Sequence, residues 1–426
     1  MTGPARDRTE SGFKERTRVR AARDALRETV SALEPASADE RTVHLDLAAA
    51  DGRVLAEDVT AARAVPHYDR AAMDGYAVRA ADTFGASRRS PAVLEAAPDG
   101  SDRVDDATAV RVHTGSELPE GADAVVMIEH VEELPLEQGV ELEVHDAVGV
   151  GENVAPTGED VEAGQRLYEA GHRLRPSDLG LLRSVGLERV RVRERPTVGV
   201  VPTGEELVER DPAPGEVVET NALTVSRLVE RWGGRATYRE IVTDDPEALR
   251  VAIQRDLTKD VVVTTGGSSV GERDLLPEVI DGLGEVLVHG VALKPGHPVC
   301  LGLVEGTPVL ALPGYPVACI VNAVQFLRPL LAWLEGTTPD PHASLETRLE
   351  RKIPSEPGTR TFARVRLEER EGEDGCLERV AVPTRASGAG VLSSVALADG
   401  WVVVEESREG IPAGETVCVE NWEYSA

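Results

Sequence analysis

VVVTTGGSSVGERDL, residues 261–275, decides how the rest of the chain is read. Three valines and two threonines make a strand apolar enough to be buried on both faces. Paired glycines and serines follow as a loop, and Asp274 then precedes the apolar run LLPEVIDGL (275–283), which predicts a helix. A buried strand, a Gly-rich turn and a helix form one β-α unit, and the same grammar extends in both directions. TVGVV (197–201) is a strand, PTGEEL (202–207) a turn, and ALTVSRLVERWGG (222–234) a helix with Ala222, Val225, Leu228, Val229 and Trp232 on one face. DDPEALRVAIQRDL (244–257) is a helix, EVLVHGVAL (285–293), VCLGL (299–303) and VLALP (309–313) are strands, and a last helix runs from Tyr315 to about Leu334. Alternating strands and helices predict a three-layer α/β domain with a parallel sheet over residues 196–337.

Outside that block the pattern changes. Residues 1–16 read as a disordered tail, and Thr17 as the N-cap of an amphipathic helix ending near Leu33. Residues 62–150 show short β-like runs between turns and no long helical period. The segments 17–61 and 151–195 share a mixed composition, including a helix opened by Pro176 and closed by Gly186. They predict one mixed α+β linker domain interrupted by a β-rich insert. Residues 338–426 return to short β runs with Gly and Pro turns, a small C-terminal β-barrel. The expected fold class is thus multidomain, α/β plus β.

With 426 residues the chain has room for about three domains at ~150 residues each. It carries 75 Asp and Glu against 46 Lys and Arg, a net charge of −29. This excludes the basic surface that displaces counterions from nucleic acid, and equally a broad dock on anionic membrane. The acids are spread along the whole sequence, as in adaptation to high salt by a halophilic archaeon, where screening limits self-repulsion. Only Lys14, Lys259, Lys294 and Lys352 are lysines, so a lysine inside a motif is informative. The four cysteines are far apart, and the N-terminus has no apolar signal core. Both suit a cytoplasmic protein in a reducing interior.

Four junctions in the α/β block concentrate ligand-binding chemistry: Thr203-Gly204-Glu205-Glu206, Thr265-Gly266-Gly267-Ser268-Ser269, Lys294-Pro295-Gly296-His297 and Leu312-Pro313-Gly314. Glycines at strand ends let backbone amides approach an anion, and all four are expected on the C-terminal edge of the sheet. A tight turn needing left-handed backbone is the plainer explanation of any one of them. The second junction also spells G-x-S-x-G from Gly267 to Gly271, with Ser269 at the place of a hydrolase nucleophile. Lys294 suits an anionic ligand as a point charge. Candidate acids are Asp74, Asp160, Glu206, the pair Asp244-Asp245 and Asp274, which as a functional set would suit Mg2+ with substrate phosphates and water. Asp74 also reads as an Asp-Gly turn, and Asp245 and Asp274 as helix caps. No histidine spacing suits zinc.

The motifs RAAMDGYAVRAADT (70–83), VRVHTGSELPEGADAVVMIE (110–129), TGEDV (157–161), VVPTGEEL (200–207), ETNALTVSRLVERWGG (219–234), LKPGHPV (293–299), ALPGYPV (311–317) and RASGAGVLSSVALADGW (385–401) follow one another in register. In that order the chain resembles the molybdopterin molybdenumtransferase (MoeA) family over about 17–420. The resemblance implies cleavage of adenylylated molybdopterin with Mg2+, insertion of molybdate or tungstate at the dithiolene, and release of AMP. It implies a homodimer whose cleft lies between the α/β domain and the partner's β-rich module, and transient contact with the molybdopterin adenylyltransferase. Asp74, Asp160, Glu206, Asp245 and Asp274 carry over as functional acids; Thr203, Gly204, Gly266, Gly267, Ser268, Ser269, Lys294, Gly296, His297, Pro313 and Gly314 carry over as pterin-phosphate and anion binders. Three departures stand out: His297 replaces a second lysine, Ser268 a valine, and Tyr315 an asparagine common in bacterial members. The adenylyltransferase itself and a non-catalytic scaffold are the alternative functions.

Overall fold

In the computed structural model, which describes residues 16–33, 41–98, 100–137, 139–266, 275–371, 376–384 and 388–423, the strand Val261–Thr265 is buried at every position. It sits inside a six-stranded sheet ordered Arg235–Tyr238, Thr197–Pro202, Val261–Thr265, Thr307–Leu312, Cys300–Val304, Glu285–His289. The first four strands are parallel. Cys300–Val304 runs antiparallel to both of its neighbours, so Glu285–His289 again points the same way as the first four strands; the one reversed strand corrects the expectation of a wholly parallel sheet. The reason is local. Glu305 (φ 48°) and Gly306 (φ 86°) make a two-residue turn with both residues left-handed, and such a turn folds Cys300–Val304 directly back on Thr307–Leu312.

Helices Asn221–Arg231, Pro246–Arg255, Leu275–Leu283 and the continuous run Pro316–Leu334 cover this sheet. The last run is long and apolar enough to cross a membrane by length and composition, yet it is mostly buried in the protein core. Gly199 interrupts the valines of Thr197–Pro202 because the buried Asp256 carboxylate lies against it; a Cβ there would stand 2.7 Å from Asp256 Oδ2. Arg239 neutralises that carboxylate with a forked ion pair.

The helix Val19–Leu33 belongs to this unit and not to the linker domain in which the sequence reading placed it. Val19, Ala22, Leu26 and Val30 share the core of Val198, Val263 and Leu310. Thr17 does not cap it: its N–H donates to Gly290 O (3.1 Å) and its carbonyl accepts from Ala292 (2.8 Å), fastening the helix to the chain beyond Glu285–His289. After His289 the backbone leaves the α/β sheet. Leu293–Lys294 pairs instead with Arg360–Thr361, the start of a C-terminal strand. The strands Arg360–Glu371, Leu377–Pro383, Ala343–Leu349, Thr416–Asn421 and Gly400–Val404 close on themselves as a five-stranded barrel, Gly400–Val404 returning to Arg360–Glu371. Closure gives each of these five strands a partner on both sides.

Residues 43–192 form a second compact unit. Its six-stranded sheet runs Ala124–Met127, Gly75–Val78, Thr108–Val112, Ser87–Ala96, Gly139–Asp146, Val131–Leu136, around Tyr76, Val78, Leu94, Val126, Leu142 and Val144. A separate core gathers Leu47, Leu55 and Val59 with Leu174, Leu182, Val190 and Val192, so both flanks of the β-rich insert share it. There the helix Pro176–Ser184 is held by buried Asp178, which accepts from Tyr168 Oη (3.1 Å) and from Arg175 N (2.9 Å) and lies 2.8 Å from His172 Nε2. Burial alone would raise this carboxyl; the hydrogen bonds from Arg175 and His172 outweigh it and hold the group well below the usual carboxylate range. Asp178→Ala is therefore expected to destabilise this unit by roughly 3 kcal/mol in urea unfolding. The contribution is present above the ordinary carboxylate pKa and fades as pH falls towards the depressed native one, so the wild-type and variant curves should converge in strong acid.

Candidate functional site

Three of the four glycine junctions meet at the C-terminal edge of the parallel strands. Thr203 N donates to Thr265 O (3.2 Å), and Gly266 N donates to Leu312 O (3.1 Å), so the ends of three strands are tied in sequence. Gly266 adopts φ +121°, and a Cβ on it would stand 2.0 Å from Thr203 O. Gly314 packs against Gly266, and Asn221 Nδ2 donates to Gly314 O (2.6 Å) from the start of its helix. The hydroxyls of Thr203, Thr264 and Thr265 are buried here without a hydrogen-bond partner among the described residues. Orphaned hydroxyls at a strand edge are what a polar ligand would satisfy. Pro313 is buried and Tyr315 exposed. Gly267, Ser268, Ser269 and Asp274, with the nucleophile-like reading of Ser269, lie outside the described residues.

The fourth junction lies in the connection between His289 and Cys300, whose pairings bring it to the same edge as Leu312 and Thr265, as expected. Lys294 and the loop to His297 sit where the chain has passed to the barrel. The loop is nevertheless anchored to the α/β core by Asn322, fully buried in the apolar helix after Gly314. Its Nδ2 donates to Gly296 O (2.9 Å) and Ala318 O (2.8 Å), and Gly296 (φ +112°) leaves room for it, since a Cβ would stand 2.3 Å from Nδ2. Directly after Asn322 the helix widens into a π turn, Ala323–Leu327, where Arg23 Nε donates to Gln325 O (2.8 Å). Such turns recur at functional sites. Lys294 Nζ is exposed and donates to Glu356 Oε1 (3.2 Å), so an incoming anion must compete with that carboxylate. His297 is half-buried, and burial, followed by the nearby positive charge of Arg16, lowers its pKa below the ordinary imidazole value. The imidazole is thus a weaker cation than the lysine the resemblance leads one to expect.

Among the acids, Glu206 is exposed with its carboxylate folded over Gly204. Asp245 caps its helix, Oδ1 accepting from Ala248 N (2.9 Å), as its structural reading from sequence allowed. Asp74 and Asp160 belong to the second unit. Asp74 is exposed, but its Oδ1 accepts from both the backbone N–H (2.7 Å) and Oγ1 (2.8 Å) of Thr114. The Thr114 amide first, then its hydroxyl, lowers the Asp74 pKa and keeps it ionised. Gly75 beside it lies flat on Val126, where a Cβ would stand 1.9 Å from the carbonyl oxygen. Asp69 repeats the device, accepting from Thr157 N and Oγ1 (both 2.7 Å). Gly158 N donates to Pro66 O (2.9 Å) and Ala72 N to Asn153 O (2.9 Å). The loops of Asp74 and Asp160 are thereby stitched into one cluster.

Thr114, Asp69, Asn221 and Asn322 are the residues that the sequence reading did not single out. An Asn inside an otherwise apolar helix was a usable signal for the last; the two threonine-aspartate clamps span 40 and 88 residues and had none. The described candidate acids stand singly and do not gather into a ligand cage. Mg2+ would need only one or two of these carboxylates, since it completes its shell with substrate phosphates and water.

Family models match nearly the whole chain: the MoeA N-terminal region (domain I and II) over residues 17–186, the "Probable molybdopterin binding domain" over 199–333, and the MoeA C-terminal region (domain IV) over 346–422. A Methanocaldococcus jannaschii protein named for molybdopterin biosynthesis is 35% identical over 392 residues, covering 89% of this chain and 92% of that one. The molybdopterin molybdenumtransferase of Bacillus subtilis is 33% identical over 378 residues, 86% of each. The crystal structure of a molybdopterin biosynthesis MoeA protein from Pyrococcus horikoshii superposes with a TM-score of 0.77 at 30% identity, over 95% of this chain and 99% of that one. Sequence, domain order and fold agree along the whole length, and the chain belongs to the MoeA family.

Proposed function

We propose that this chain is a molybdopterin molybdenumtransferase, a transferase that inserts molybdenum into molybdopterin during molybdenum cofactor biosynthesis. The observation that carries the reading is the edge formed by Thr203, Gly266 and Gly314, where close-packed glycines bring three strand ends together beside buried threonine hydroxyls that have no partner among the described residues. Its support is the name shared by relatives from Bacillus subtilis and Haemophilus influenzae that align along most of their length.

In the finer reading the substrate is adenylylated molybdopterin, the second substrate molybdate or tungstate, and the products AMP and the metallated cofactor. Gly204, Gly266, Gly267, Ser268, Ser269, Gly296, Pro313 and Gly314 would shape the pterin-phosphate cradle, with Thr203 supplying a hydroxyl and Lys294 a charge. Asp74, kept ionised by Thr114, and Asp160 would act from the second unit, together with Glu206, Asp245 and Asp274. Mg2+, held by Asp74, Glu206 and Asp274 with the phosphates, would neutralise charge on the leaving AMP. A homodimer would let the second unit of one subunit complete the edge of the other. The enzyme would work in the cytoplasm and meet the adenylyltransferase transiently.

The test is incubation of the full chain with adenylylated molybdopterin, Mg2+ and molybdate in high salt. AMP release that depends on oxyanion and yields active cofactor is expected; no AMP release defeats the reading. His297→Lys restores a permanent cation and should lower the molybdate concentration giving half-maximal AMP release by about threefold to tenfold. An unchanged concentration dependence would remove position 297 from oxyanion capture.

A further inference from the structure

The hairpin formed by Val131–Leu136 and Gly139–Asp146 sets two glutamates against each other. Glu132 and Glu143 are direct partners in the antiparallel register and therefore share a face. Like charges in that position destabilise a strand pair. The neighbouring carboxylate, Glu133, is compensated: it accepts from Tyr76 Oη (2.7 Å) and Arg111 Nη1 (3.0 Å). Glu143 is half-buried and has no arginine or lysine partner among the described residues. The third group on this face is His145, two residues beyond Glu143 on the same strand. Its Nε2 lies 3.6 Å from Glu132 Oε2, outside hydrogen-bond range, while Nδ1 is buried and unpartnered. One donor atom from each of the three residues falls within 4.8 Å of the others, the one such group among the described residues.

Donors bound at ~2.1 Å in a tetrahedral shell stand about 3.4 Å apart, so a spacing of 3.6 Å between the imidazole nitrogen and a carboxylate oxygen matches an edge of such a shell. A depression of about 630 Å³ lined by Arg88, Glu129, His130, His145 and Asp146 opens this face to solvent at His145. We propose that Glu132, Glu143 and His145 bind a divalent transition-metal ion of the zinc class, which cancels the facing carboxylates and pins the edge strand Val131–Leu136 to its neighbour. One imidazole with two carboxylates selects zinc or cobalt over Mg2+, which prefers oxygen alone. The site is independent of the transferase reading.

The experiment uses the full chain stripped of metal with a chelator. Addition of Co2+ should produce visible d–d absorption saturating at one equivalent, displaced by Zn2+ and unaffected by excess Mg2+. His145→Ala and Glu143→Gln should each weaken Co2+ binding at least about tenfold. The exposed Glu132→Gln repeats the test at a position that burial does not constrain, and circular dichroism checks that each variant is folded. His130→Ala should bind as the wild type does. Absence of the absorption band overturns the proposal, as does a band that survives His145→Ala unchanged, moves to dependence on His130, or is lost to Mg2+.

Discussion

Asp74→Ala should lower oxyanion-dependent AMP release by about 100-fold or more, the range expected when a positioned acid or base is removed, with the thermal midpoint lowered only slightly, by loss of the two hydrogen bonds from Thr114 to an exposed side chain. The argument rests on how the carboxylate is held. Both hydrogen bonds from Thr114 go to Oδ1, which leaves Oδ2 with His113 Nδ1 at 3.9 Å, and the same bonds keep the group ionised. Asp74→Asn separates charge from position: it retains an acceptor for Thr114 and should be as inactive as the alanine variant if the charge acts. Thr114→Ala leaves the charge but loosens the hold on it, and should lie between wild type and Asp74→Ala. Steady-state assays with fixed adenylylated molybdopterin decide among these, and a fully active Asp74→Ala would remove this residue from the site.

Gly266→Ala is expected to abolish ligand binding and to destabilise the α/β unit together. The added carbon would meet a backbone carbonyl, Thr203 O, at 2.0 Å, at a φ of +121° that L side chains rarely adopt. A flexible side chain could turn aside; a strand end tied by Thr203 N to Thr265 O cannot. Strain and overpacking together amount to roughly 3 kcal/mol. Gly52→Ala is the control, with φ +68° and nothing within 4 Å of the new carbon, and should cost about 1 kcal/mol. Urea midpoints compare the two, and calorimetry with adenylylated molybdopterin reads binding. Wild-type affinity in Gly266→Ala would mean that this strand edge is not where the ligand sits.

The strand-turn-helix grammar around residues 261–275 was legible because burial on both faces leaves a continuous apolar run. The antiparallel return at Glu305-Gly306 was not, since one turn's backbone angles outweighed the rhythm of the surrounding elements. The helix Val19–Leu33 was readable as a helix from its apolar spacing, but its destination depends on a strip of core that begins at Val198, far along the chain, which no local pattern encodes. At the site, glycines and a rare lysine announced themselves by composition. Asn221, Asn322, Thr114 and Asp69 did not, because each acts on a backbone or carboxylate that only the folded chain brings within reach.

The short pairing of Leu293–Lys294 with Arg360–Thr361 has an evolutionary corollary. In gene order the lysine segment sits among the α/β elements, yet the main chain that steadies it comes from the far end of the protein. A recombination event with its seam near residue 337 would exchange the scaffold behind Lys294 together with Phe362, Trp401 and Trp422, which share the α/β core. Lineages that trade C-terminal barrels would then change the support behind that loop without a single change in the loop itself, and comparisons confined to motif residues would miss the cause.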